Sequence, residues 1–164
     1  MSSYDVAMDR DANRQVISSN EAFKVENTIT FAAATTGSVA THTLFNVTGN
    51  VLVTVCGVVD TTLNSAGAPT ISIGTAANTA AIIASTTAKN LADGDVWVDA
   101  TDTRVGVGYL YSDGVSEVGV INDGADITYT IASATVTAGV IDFYCLWRPL
   151  SSDGKVTDGN GLAV

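Results

Sequence analysis

Residues 139–155 read GVIDFYCLWRPLSSDGK. By parity, Ile141, Phe143, Cys145 and Trp147 fall on one side, and Val140, Asp142, Tyr144, Leu146 and Arg148 on the other. A period of two is the pattern of a strand whose faces meet different surroundings. Pro149 ends the run, because proline has no N–H for a sheet ladder. One face carries large apolar groups suited to a core. The other sets two charges among amphipathic groups. Tyr144, Leu146 and Arg148 there suit a contact with a neighbouring subunit, since Tyr and Arg are enriched at interfaces. The competing expectation is a second sheet layer, or a covering loop, of the same chain.

Outward from this segment, short strand patterns recur between turn signals. AFKVE (22–26), TITFAA (28–33), HTLFNVT (42–48), VLVTVCGVV (51–59) and PTISIGTA (69–76) come first. VWVDA (96–100), VGVGYLY (105–111), EVGVI (117–121) and DITYTIA (126–132) follow, bounded by Asp or Gly. Gly49-Asn50 between two of these runs reads as a hairpin turn. AANTAAIIASTTAKNLADG is the only stretch with helical character, and it reads equally as a strand with a turn. About nine strands at this spacing predict an all-β fold, a β-sandwich or jelly-roll-like domain. The organisation expected is a polar arm over 1–14, a sandwich over 15–150 and a loosely ordered Gly/Asp/Ser tail over 151–164.

Composition agrees. The chain of 164 residues has length for a real core. Its acids are 14 Asp and only 3 Glu, which favours turns over helices. With 17 acids against 7 bases the net charge is −10, a balance that repels phosphate backbones, so no nucleic-acid partner is expected. No apolar run reaches the roughly 18 residues of a membrane span, so no membrane partner is expected. The N-terminus lacks the apolar segment of a signal peptide. Cys56 and Cys145 lie in strand patterns and read as free thiols.

Chemistry is sparse. His42, the one histidine, has no ligand neighbour at useful spacing and reads as a strand residue. Phosphate loops and nucleophile elbows are missing from the sequence. DGDVWVDATD brings Asp93, Asp95, Asp99 and Asp102 close in sequence; solvated strand ends explain them most simply, with calcium ligation next and carboxylate catalysis last. No enzyme activity, cofactor or metal is expected. Trp97 is balanced between core packing and a sugar-stacking platform, which Tyr109 and Tyr111 would complete. Trp147, on the Phe143 face, reads as core.

Three stretches carry a resemblance. IDFYCLWRPLSSDGKV (141–156) is the most specific, with TLFNVTGNVLVTVCGVV (43–59) and ISIGTAANTAAIIASTTAKNLADGDVWVDAT (71–101) beside it. Together they resemble small structural proteins encoded in tailed-bacteriophage virion gene clusters, most of all capsid decoration (cement) proteins. The resemblance implies a jelly-roll-like domain, assembly as a homotrimer, the major capsid protein as partner, and a place on the outer capsid surface of the virion after synthesis in the host bacterial cytoplasm. On that reading Tyr4, Val6, Met8, Arg10 and Arg14 of the polar arm are the residues expected to grip the shell. Other classes remain: a carbohydrate-binding module on a tail or fibre, using Trp97, Tyr109 and Tyr111, and a head–tail joining protein.

Overall fold

The computed structural model describes residues 9–10, 16–17, 22–98, 103–105, 119–121 and 124–161. The strands are β1 (Asp9–Arg10), β2 (Val16–Ile17), β3 (Phe23–Thr30), β4 (Thr41–Thr48), β5 (Val51–Asn64), β6 (Thr70–Gly74) and β7 (Ile83–Thr87). They continue with β8 (Asp95–Trp97), β9 (Thr103–Val105), β10 (Gly119–Ile121), β11 (Ile127–Ala132), β12 (Ala138–Pro149) and β13 (Lys155–Asp158). No α-helix occurs among the described residues; one 3₁₀ turn spans Ala88–Asn90. The alanine-rich stretch is thus a strand and a turn.

Sheet I has the order β3-β12-β5-β8-β9, with β10 also on β5; sheet II has the order β13-β4-β11-β6-β7. Every pairing is antiparallel, and the pairs nest: β3 with β12, β4 with β11, β5 with β8, β6 with β7. The topology is one long hairpin rolled over so that its strands alternate between two sheets, the jelly-roll-like sandwich that the strand count predicts. β1 and β2 form a separate small ladder, Asp9 opposite Ile17.

The core follows from parity. Val51, Val53, Val55 and Val59 of β5 and Ile141, Phe143 and Cys145 of β12 are buried on one side of sheet I. Phe45, Val47, Ile71, Ile73, Ile127, Tyr129 and Ile131 of sheet II join them in one cluster. Gly57 sits opposite Phe143 in the β5–β12 ladder. A Cβ there would lie 2.9 Å from Ile141 Cγ2 and 3.2 Å from Phe143 Cε1, so the glycine makes room for the ring.

Two expectations are corrected. Gly49-Asn50 does not close a hairpin, because β4 and β5 lie in different sheets. It is a corner between sheets, with Gly49 at φ 62, a conformation glycine adopts without steric cost. Gly124 N–H donates to Gly49 O, and Leu150 and Ser151 N–H both donate to Asn50 O, which fixes the crossing. The 151–164 tail is likewise not loose throughout: Lys155–Asp158 pairs with β4, and Gly159 and Gly161 N–H continue onto Leu44 O and Thr43 O. The Tyr129 hydroxyl reaches both Thr36 O at 2.9 Å and Gly161 O at 3.0 Å. It thereby ties this strap to the core and to the β3–β4 connection.

Removing that hydroxyl takes away the one donor that the two carbonyls share. Tyr129→Phe is expected to cost about 1–3 kcal/mol and to speed amide hydrogen exchange at Gly159 and Gly161 ahead of the rest of sheet II. Unchanged protection at both glycines would show that the strap is held by its ladder alone.

Candidate functional site

The sandwich leaves each sheet one outer face, and the two differ. On sheet II the outer face is built of small hydroxyl groups: Thr43, Ser72 and Thr128 are buried, and Thr41 and Thr130 share a 2.9 Å hydrogen bond. Ser72 Oγ donates to Thr79 O, and the 75–80 turn folds so closely over Gly74 that a Cβ there would meet Asn78 O at 2.1 Å. That turn covers one end of the face, while Asn46 and Thr48 of β4 are exposed on it.

Sheet I is open. Sheet II packs on its Ile141–Phe143–Cys145 side, so the face of Tyr144, Leu146 and Arg148 points away from the core. Among the described residues no second sheet layer covers it. The register sets Tyr144 between Glu26 and Cys56, Leu146 between Lys24 and Thr54, and Asp142 between Thr28 and Val58, with Arg148 beside Leu52. Val58, Cys56, Thr54, Leu52 and Val140 are half-buried, and Leu146 is exposed. The patch is therefore apolar along β5 and β12 and edged by charge.

Its polar groups are mutually engaged. Lys24 pairs with Glu26 and lies 5.6 Å from the centroid of the Tyr144 ring, within cation–π range. Thr28 Oγ1 donates to Asp142 Oδ1 at 2.5 Å. Burial, and then the carboxylates of Asp142 and Glu26, push the Tyr144 phenol above its ordinary range, with Lys24 pulling the other way. At the Arg148 end lies an open groove of about 270 Å³, whose lining includes Ala22, Leu52, Thr54, Leu146, Trp147 and Arg148. Trp147 is half-buried rather than fully core, and its ring tilts against the exposed Phe23 at 4.8 Å between centroids.

Other sequence-predicted residues go elsewhere. Trp97 is wholly buried, its indole N–H donating to Thr86 Oγ1 at 3.1 Å, so its ring is not offered to a sugar. Tyr109 and Tyr111 lie outside the described residues, as do Tyr4, Val6, Met8 and Arg14 of the arm; Arg10 falls in β1. Asp93 is exposed while Asp95 is buried, with Oδ2 accepting from Ala92 N–H at 2.8 Å and Oδ1 without a partner among the described residues. Asp99 and Asp102 also lie outside the described residues. Among those described, no three His, Cys, Asp or Glu side chains gather as a metal site, and no helix is long and apolar enough to cross a membrane.

His42 is fully buried in β4 and stacked on Tyr129 at 4.7 Å. Its Nε2 lies 3.0 Å from Ser38 O; a carbonyl only accepts, so this nitrogen carries the proton. Both cysteines are free. Cys145 faces the core and Cys56 the open face, on opposite sides of sheet I.

The chain matches no known protein family, no curated protein and no solved structure. The site therefore rests on its own geometry. Sequence reading found the β12 members of the open face. It missed Lys24, Glu26, Leu52, Thr54 and Val58, which share the face through register. Parity within β3 and β5 carries that signal, but only once the strands are aligned.

Proposed function

We propose that this chain is a virion structural protein that decorates and stabilises a tailed-phage head, binding across junctions between capsid subunits as a homo-oligomer. The observation that carries the reading is the open face of sheet I. It is a half-apolar sheet surface on a jelly-roll-like sandwich whose other outer face is lined by small hydroxyl groups. Such a face suits adhesion to protein surface better than capture of a small molecule. The resemblance of 141–156 and its companion segments to phage decoration proteins supplies the partner class.

In this reading the domain adds contact area at junctions that internal DNA pressure must break. Many identical copies make weak single contacts cumulative. The arm over 1–14 grips the shell. The net charge of −10 keeps crowded particles from adhering to one another.

The test is attachment. Purified chain added to phage heads that lack it should co-sediment with them and raise their resistance to heat. A chain without residues 1–14 should melt as the full chain does yet lose attachment by on the order of 100-fold, the scale that avidity supplies. Normal attachment of the shortened chain removes the arm from the mechanism. No attachment of the full chain to any head removes the proposal.

A further inference from the structure

We propose that the open face of sheet I pairs with the same face of a second copy, about a two-fold axis that lies between the two sheets and runs across the strands. The inference rests on the self-association in the reading above and not on capsid attachment. It also makes the basic unit a pair, where the resemblance implies three copies.

The pattern of charge carries it. In the ladders, Cys145 of β12 stands level with Val25 of β3 and Val55 of β5. An axis crossing the strands at that level exchanges residues at equal steps on either side. One step out, Tyr144 meets the second copy's Leu146, Glu26 meets its Lys24, and Cys56 meets its Thr54. Three steps out, Asp142 meets its Arg148, and Val58 meets its Leu52. Each acid opposes a base, and each uncharged group opposes an uncharged group.

Shape agrees with charge. The groove occupies the Leu52–Leu146–Arg148 half of the face. Under the same axis that half lies beneath the second copy's Tyr144 and Val58, whose side chains are the ones that would enter it. The contact also suits an acidic molecule. Lys24, Glu26, Asp142 and Arg148 cancel, which gives a locally neutral patch on a chain of net charge −10. Two-fold pairing is isologous, with one patch serving both copies. A three-fold ring would join two different patches and would not bring each charge to its opposite by symmetry. From Asp142 to Arg148 the face runs roughly 20 Å along the strands, and its three strands are about 14 Å wide. That footprint is smaller than a standard stable interface, so the pair forms weakly and only as concentration rises.

Sedimentation of the full chain over a range of concentrations should show monomer and dimer only. Asp142→Arg and Arg148→Asp each place two like-charged pairs across the axis, and each should weaken the dimer by on the order of 100-fold. Mixing the two variants restores both pairs, so the mixture should associate as tightly as the unaltered chain; so should the double variant D142R/R148D. Recovery on mixing also shows that both variants are folded. Independently, Thr54→Cys should give a disulfide-linked dimer through Cys56 on oxidation, and Cys56→Ser should abolish the link. A chain that is monomeric throughout, a trimeric mass, single reversals that leave the dimer unchanged, or a mixture that stays apart would each overturn the pairing.

Discussion

Phe143→Ala is expected to lower the unfolding free energy by about 3–5 kcal/mol, while Tyr144→Ala, one residue on, costs less than about 1 kcal/mol in dilute monomer. Phe143 is fully buried at the centre of the aromatic column, stacked with Tyr129 at 6.5 Å and edge-on to Trp97 at 6.2 Å. Gly57 opposite it has no side chain to fall into the space left behind, so the cavity persists and its cost adds to the lost transfer energy. Tyr144 faces outward, where truncation exposes little and leaves no void. Urea midpoints at concentrations below self-association measure both. Similar costs for the two variants would mean that β12 does not divide core from surface by parity.

That division was legible in the sequence because a strand repeats every two residues, and GVIDFYCLWRP displays both faces within a single run. The nested pairing was not. Gly49-Asn50 carries the chemistry of a turn, but a turn residue does not say whether the next strand lies beside the last or across the core. Only the capture of its carbonyls by Gly124, Leu150 and Ser151 distinguishes a corner from a hairpin, and two of those partners are about a hundred residues away. The strap at 155–161 was hidden by its composition. Val156 is its one buried apolar side chain, and the rest is held by backbone bonds to β4 and by Tyr129. Trp97 could not be assigned from its neighbours either. Its burial depends on Thr86, eleven positions earlier, receiving the indole N–H. The open face shows the same limit: Tyr144, Leu146 and Arg148 announce themselves, while the pairing of Lys24 with Glu26, and of Asp142 with Thr28, depends on register.

The same core sets a limit on the alkaline side. Burial, with a smaller contribution from Cys56, pushes the Cys145 thiol up to about 12, and burial pushes the Tyr129 phenol well above its usual value. Both groups are acids that stay protonated when folded and ionise sooner when unfolded. Their contribution is therefore complete at neutral pH. Above the unfolded thiol value, near 9.0, the unfolded chain holds fewer protons than the native one, so stability falls as pH rises. The slope is about 1.4 kcal/mol per pH unit per group. By pH 11 Cys145, joined by Tyr129 from about pH 10, has removed on the order of a few kcal/mol. A domain at the lower end of the ordinary range, about 5 kcal/mol, is then close to unfolding. Urea midpoints should hold steady from pH 7 to 8.5 and drop steeply between 9.5 and 11. Cys145→Ala lowers the midpoint at every pH and reduces its dependence between 9 and 10, leaving the part due to Cys56, whose thiol burial also pushes up. Tyr129→Phe reduces it above 10. Slope and offset separate titration from packing, since a cavity shifts the whole curve and leaves its shape unchanged. Thiol labelling gives a second reading at pH 8: Cys56 reacts with the native chain, and Cys145 reacts only at the rate of unfolding. A midpoint constant from pH 8 to 11, or equal labelling of both thiols, would mean that Cys145 is not sealed between the two sheets.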